Sequence, residues 1–139
     1  MTPNTCKKLL LLKPRGFCAG VERAIKCAAF ALDKKAVDVK VLEIKRLSSI
    51  ADYLVLVSGR SDKQVQAIAD SVKMGLKPID MHLSIEGLQE GRWVVIDYGD
   101  VIVHIFQEEV RSYYKLDELW GNAPLVEIPA EYLWEGKGA

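Results

Sequence analysis

The most informative part of the sequence is RWVVIDYGDVIVHIF, residues 92–106. It contains two β-rich runs, Arg92–Asp97 and Asp100–Phe106, joined by Tyr98-Gly99. A two-residue connection with a glycine is typical of a β-hairpin, because glycine readily adopts the positive φ that such loops need. The sequence therefore predicts an antiparallel pair of strands.

The two faces of this hairpin differ in character. With Tyr98-Gly99 as the loop, Asp97 lies opposite Asp100 and Trp93 lies opposite His104. One face is wholly aliphatic and is predicted to face the core; it consists of Val94, Ile96, Val101, Val103 and Ile105. The other face mixes aromatic, aliphatic, imidazole and carboxylate groups; it consists of Trp93, Val95, Asp97, Asp100, Ile102, His104 and Phe106.

Two interpretations of the mixed face remain open. Apolar anchors ringed by a few polar groups are common where one protein recognises another. Alternatively, a helix of the same chain packs over this face, and His104 is an ordinary buried histidine. The pattern alone is compatible with both.

The rest of the chain alternates between helical and strand patterns. Apolar residues recur at helical spacing from Val21 to Ala36, and Ser61 with Gln64 forms a capping box that opens a second helix. Strands are predicted at Val39–Ile44, Tyr53–Val57 and Met81–Ile85, and a short helix at Glu108–Tyr114. This order predicts a single α/β domain with a mixed β-sheet of about five strands flanked by helices.

Composition limits the environment and the partners. The 139 residues, half of them hydrophobic, suit one domain, which we place at residues 21–121 between an N-terminal extension, 1–20, and a C-terminal tail, 122–139. Because 19 basic residues balance 19 acidic ones, the chain lacks the long-range field that would hold a polyanion non-specifically. Any contact with nucleic acid should therefore be local or go through a protein, and we predict no direct sequence-specific binding of nucleic acid. We also predict neither export nor membrane insertion, and a cytoplasmic location.

The same residues carry groups that enzymes use. Asp97 and Asp100 could bind a metal or share a proton, with His104 as a base. However, the sequence has no glycine-rich phosphate loop and no serine or cysteine nucleophile beside a base. Gly59-Arg60-Ser61 is more typical of an ordinary helix cap than of an anion site. We therefore predict no catalytic residue, no metal and no cofactor.

Five motifs follow one another in a specific order. They are SSIADY at 48–53, SG at 58–59, IEG at 85–87, WVVIDYGDVIVH at 93–104 and YKLDELW at 114–120. Together they resemble the ribosome silencing factor, or Iojap-like, family, over about Ala24 to Trp120. The resemblance implies a fold related to nucleotidyltransferases but without catalysis; a diverged nucleotidyltransferase-like enzyme is the alternative.

The resemblance also implies a partner and a mechanism. It implies binding to the large ribosomal subunit through universal ribosomal protein fourteen, which keeps the small subunit from joining when nutrients are scarce. The family's partner surface falls on the hairpin, so the docking role is carried to Trp93, Val95, Asp97, Ile102, His104 and Phe106. Because the free protein would expose this apolar surface, we also predict a homodimer.

A second, shorter resemblance lies at the N-terminus. PRGFCAGVERAI, residues 14–25, is similar to the first motif of the iron-sulfur reductase that makes isoprenoid diphosphates, where the cysteine, here Cys18, ligates a cluster. A cluster usually needs three or four thiolates. Cys6 and Cys27 do not lie where that family has its others, so we interpret the segment as an extension and keep a cluster at Cys18 as an alternative.

Overall fold

The computed structural model describes residues 17–78 and 81–130. The described part contains four helices and five strands, which alternate as the sequence predicts. Their bounds are α1 Phe17–Asp33, β1 Val37–Glu43, β2 Tyr53–Gly59, α2 Asp62–Leu76, β3 Ser84–Glu86, β4 Trp93–Asp97, β5 Val101–Gln107, α3 Glu108–Tyr114 and α4 Leu116–Leu119.

The strands form one mixed sheet in the order β1-β2-β5-β4-β3. Strands β2 and β5 are parallel, and the other neighbours are antiparallel. Every residue of β2 is buried, as its continuous apolar run predicts for a strand covered on both faces. The predicted single α/β domain with a five-stranded mixed sheet and flanking helices is confirmed.

One face of the sheet is closed by α1 and α2. The predicted aliphatic core face of the hairpin is confirmed, because each of its five side chains is fully buried against these helices. Helix α2 begins as the capping box predicts: Ser61 Oγ accepts a hydrogen bond from the Gln64 amide at 3.1 Å, and Gln64 Oε1 accepts one from the Arg60 amide at 2.7 Å. The apolar periodicity of the sequence therefore predicts the part of the core that lies between the sheet and helices α1 and α2.

The hairpin register differs from the prediction by two residues. The loop is Gly99-Asp100, closed by the Tyr98 amide donating to the Val101 carbonyl at 2.8 Å. Gly99 has φ +94°, because a loop of this kind takes its positive φ at the first position, which only glycine adopts freely. Trp93 therefore lies opposite Phe106, not His104. A shift of two residues keeps every side chain that remains in the paired strands on its predicted face; Asp100 moves into the loop.

The predicted opposition of Asp97 and Asp100 is consequently wrong. Asp100 leaves the mixed face and binds Arg23 of α1, whose Nη1 lies 2.6 Å from each carboxylate oxygen. Asp97 Oδ1 instead accepts a hydrogen bond from the Gly99 amide at 2.7 Å. Each carboxylate thus has its own donor, and the two do not form the shared metal or proton site considered from the sequence.

The ends of the domain extend beyond the predicted boundaries. Helix α1 begins at Phe17, inside the segment assigned to an N-terminal extension. Part of the segment assigned to a tail pairs with β1: the Glu43 amide donates to the Pro124 carbonyl at 2.9 Å, and the Val126 amide donates to the Val41 carbonyl at 2.8 Å. Residues 1–16, with Cys6, residues 131–139 and the side chain of Cys18 lie outside the described residues.

Candidate docking surface

The second face of the sheet presents the mixed residues of the hairpin in rows. In one row, Glu86 of β3, Val95 of β4 and His104 of β5 are neighbours. In the next row, Ser84, Asp97 and Ile102 are neighbours. Side chains that share a row on one face are close enough to act as one surface. The register therefore assembles a continuous surface from residues that are far apart in sequence.

Helices α3 and α4 cover only part of this face. They form a second core with β1 and β2, whose buried members are Leu42, Ile44, Ala51, Leu54, Leu56, Phe106, Val110 and Ala123. Beyond this core, five side chains remain half-buried, and we call them the outer patch: Trp93, Val95, Asp97, Ile102 and His104. The chain's own helices therefore cover one half of the face, as the second interpretation predicts, and leave the other half partly open; recognition of a partner by that half stays a prediction.

Phe106 belongs to the covered half. Its side chain is 0% exposed, so it offers no surface to a partner in this structure. The Trp93 ring packs against the Phe106 ring, with 5.7 Å between the ring centroids. The guanidinium of Arg111, which belongs to α3, lies 5.6 Å from the centroid of the Phe106 ring. In this structure Phe106 supports Trp93 from below, and its docking role stays a prediction.

Two tyrosines that sequence reasoning missed extend the patch onto α3. Tyr114 packs against Trp93 at 5.3 Å between ring centroids, and Tyr113 meets Tyr114 edge-on at 5.0 Å. Tyr113 is 78% exposed and Tyr114 54%. Exposed aromatic side chains are enriched at protein interfaces. The consecutive tyrosines of a seven-residue helix were the available signal.

Trp93 and His104 are joined by a hydrogen bond within the outer patch. The Trp93 indole Nε1 donates to His104 Nδ1 at 3.0 Å, across a diagonal of the ladder. Burial of the imidazole among these rings lowers the pKa of His104 to about 4, because desolvation disfavours the charged form. His104 is therefore neutral near pH 7.

The rim of the outer patch at β3 and β4 is acidic. Glu86 is exposed in β3, and Asp97 is half-buried in β4, in the adjacent row of the same face. Basic groups of a partner would pair with these carboxylates at the edge of a contact whose centre is apolar.

A buried arginine of α3 is hydrogen-bonded to α4 and to strands β1 and β2. Arg111 is 5% exposed and makes two hydrogen bonds to Asp117, at 2.7 and 2.9 Å. It also donates to the Asp38 carbonyl at 2.7 Å and to Ser58 Oγ at 2.9 Å. The hydrogen bonds from Arg111, together with Lys40 at 2.7 Å, hold the pKa of Asp117 well below its usual range.

Other site chemistries find little support in the described part of the chain. In residues 17–78 and 81–130, no three His, Cys, Asp or Glu side chains are grouped so that they could hold a metal ion. Over the same residues, no helix combines the length and apolarity needed to cross a bilayer.

Comparison with known proteins identifies the family. Residues 20–137 match the family model RsfS, described as ribosomal silencing factor during starvation. The chain belongs to the RsfS family. The resemblance carried by the five motifs is therefore confirmed. The matched span includes most of the segment that sequence reasoning assigned to a tail.

Relatives in this family come from bacteria and plastids. The ribosomal silencing factor RsfS of Bacillus subtilis is 45% identical over 106 residues, which are 75% of this chain and 90% of the relative. The chloroplastic protein Iojap of Zea mays is 33% identical over 107 residues, which are 76% of this chain and 46% of the relative.

Solved structures of similar proteins share the fold. A crystal structure of a Bacillus halodurans protein superposes with a TM-score of 0.65 at 39% identity, covering 77% of this chain and 95% of the other. A crystal structure of a Chromobacterium violaceum protein gives a TM-score of 0.67 at 33% identity, covering 84% of this chain and 96% of the other. The chain is therefore similar to these proteins in both sequence and architecture.

Proposed function

We propose that the protein silences ribosomes when nutrients are limiting, by binding the large ribosomal subunit and preventing the small subunit from joining. The observation that carries the proposal is the outer patch, a half-open sheet face on a member of a ribosomal silencing family. The contact on the large subunit is universal ribosomal protein fourteen. The site of action is the cytoplasm, where both subunits meet.

The composition of the outer patch supports a protein partner. Its centre is apolar, with Trp93, Val95 and Ile102 half-buried, and such residues gain free energy when a partner excludes water from them. Its rim carries Glu86 and Asp97, which would pair with basic groups of a ribosomal protein. An apolar centre with a polar rim is the usual anatomy of a protein interface.

The mechanism requires occupancy and no chemical step. A folded domain bound where two subunits meet excludes the second subunit by volume alone. This agrees with the separate donors of Asp97 and Asp100, which leave no paired-carboxylate site on the hairpin. We therefore propose a repressor without catalytic residues.

We further propose that the free protein is a homodimer, in which the outer patch of one copy covers that of another. The aromatic extension on α3 enlarges the surface that would otherwise face water, since Tyr113 and Tyr114 are more than half exposed. Apolar patches of this kind are often covered by association.

The proposal is tested by sedimentation through sucrose with purified large subunits. Val95→Glu places a carboxylate at the centre of the outer patch, and Met74→Glu is the matched control on α2, where Met74 is 65% exposed on the other side of the sheet. We expect the wild type and Met74→Glu to co-sediment, and Val95→Glu to bind roughly tenfold or more weakly, because burying an unpaired charge is costly.

Two outcomes would contradict the proposal. One is a wild-type protein that stays in the supernatant, and the other is a folded Val95→Glu variant that binds as tightly as the wild type. Circular dichroism melting of both variants separates lost binding from lost folding. Adding small subunits tests the mechanism: the wild type should lower the fraction of whole ribosomes on the gradient, and Val95→Glu should not.

A further inference from the structure

The hydrogen bond between Trp93 and His104 fixes where the imidazole carries its proton. An indole N–H can only donate, so His104 Nδ1, which lies 3.0 Å from Trp93 Nε1, must be the unprotonated acceptor. A neutral imidazole with a bare Nδ1 holds its single proton on Nε2. The tautomer is therefore set by a neighbour within the outer patch.

The imidazole is neutral as well as fixed in tautomer. It stacks on Phe106 at 6.1 Å between centroids with an interplanar angle of 25°, and it lies 6.0 Å from the Trp93 ring. These apolar surroundings lower the pKa of His104 to about 4. Near pH 7 the ring therefore offers one donor, Nε2–H, and its acceptor nitrogen is already occupied.

This donor is unused by the described part of the chain. Within residues 17–78 and 81–130, the hydrogen bond of the imidazole is the one it accepts from Trp93. His104 Nε2 is not one of the fully buried polar atoms without a partner in these residues. Water can therefore satisfy Nε2–H in the free protein. A partner that displaces this water must replace it with an acceptor, because a buried donor left unpaired weakens binding.

We propose that His104 Nε2–H is the specificity-determining donor of the outer patch, that Trp93 is its positioning residue, and that the partner places a neutral carbonyl oxygen against it. This inference rests on the proposed docking function. A carboxylate is a poorer candidate for the acceptor, because Glu86 and Asp97 already bring negative charge to the same surface. A lysine or arginine placed against the imidazole would find no free acceptor on the ring, because Nδ1 already accepts from Trp93.

The tautomer is tested directly on the free protein by nitrogen NMR with labelled histidine. The chain has two histidines, and His82→Asn assigns the signals. We expect the wild type to show a protonated Nε2 and a bare Nδ1 for His104. In Trp93→Phe, which keeps a ring but removes the indole donor, both tautomers should appear. A protonated Nδ1 in the wild type would overturn the inference.

Binding to purified large subunits tests the role of the donor. His104→Phe keeps a planar ring without a donor and should bind roughly fivefold to tenfold more weakly, whereas the control His82→Phe should bind as the wild type does. His104→Gln, whose amide can donate, should recover part of the loss. Trp93→Phe should bind at least about twofold more weakly, because half of its imidazole rings would carry the proton on the wrong nitrogen and because the smaller ring buries less apolar surface.

The outcomes separate this inference from the proposed function. If His104→Phe and Trp93→Phe bind like the wild type while Val95→Glu does not, docking stands and the role of the donor is wrong. If the wild type itself fails to co-sediment, the proposed function falls. If His104→Phe does not fold, the affinities of His104→Gln and Trp93→Phe test the inference instead. A Trp93→Phe variant that shows both tautomers and still binds with full affinity would contradict it.

Discussion

His104 makes the stability of the fold depend on pH. Its pKa is lowered to about 4 in the folded protein, from 6.5 for an unperturbed histidine. Between these values the unfolded chain binds a proton more readily, so acidification through this window destabilises the folded state, by at most about 3 kcal/mol. Above pH 6.5 the histidine is neutral in both states, and the folded state keeps the full stability that acidification would remove.

Urea unfolding at several pH values measures this effect. We expect the midpoint of the wild type to fall between neutral pH and pH 4 more steeply than that of His104→Gln, which lacks the titrating group. Equal slopes for the two proteins would show that His104 does not carry this part of the pH dependence.

Single residues also show how far alternation along a strand predicts a site. Period two correctly assigns Val95, Ile102 and His104 to one face, because successive side chains in a strand point to opposite sides. It places Phe106 on the same face but cannot tell that α3 lies over it, since the covering element follows later in the chain. Tyr114 was missed for the same reason: its contact with Trp93 exists only after α3 packs.

The hairpin shows why an error in register need not become an error in face. Sequence reasoning chose Tyr98-Gly99 as the loop, and the structure has Gly99-Asp100. The deciding condition is which loop position needs a positive φ, and both choices contain Gly99. The predicted register is wrong by an even number of residues. The prediction of the core face is therefore correct, whereas the predicted pairing of Asp97 with Asp100 is wrong.

The attachment of α3 and α4 to the sheet depends on Arg111 and Asp117. Asp117→Ala removes the countercharge of a guanidinium that is 5% exposed. We expect a loss of about 2 to 3 kcal/mol in the free energy of unfolding, lower than for a fully buried pair because the carboxylate is partly exposed. The measurement is urea denaturation at neutral pH.

A matched control is available on α2. Asp70 meets Lys73 at 3.9 Å on an exposed surface, so Asp70→Ala should change the free energy of unfolding by less than about 0.5 kcal/mol. Equal small losses in both variants would mean that the pair of Arg111 and Asp117 does not hold the helices in place.

At the scale of the molecule, the two faces of the sheet are covered unequally. The sequence predicts the number of strands and the first layer of helices, because both leave periodic patterns. It does not predict that β2 and β5 are adjacent and parallel, since that pairing joins segments separated by a helix and two strands. The extent of the outer patch depends on this arrangement, so the sequence alone does not predict it.

Self-association and ribosome binding should compete, because both are proposed to use the outer patch. Light scattering across a wide dilution series should show the wild type moving from a dimer towards a 15.5 kDa monomer. Val95→Glu should remain a monomer throughout, since two added carboxylates would face each other across a symmetric contact. A wild type that is monomeric at every concentration contradicts the dimer but leaves docking intact. A dimer that persists in Val95→Glu would instead place self-association elsewhere, and large subunits would then bind without dissociating it.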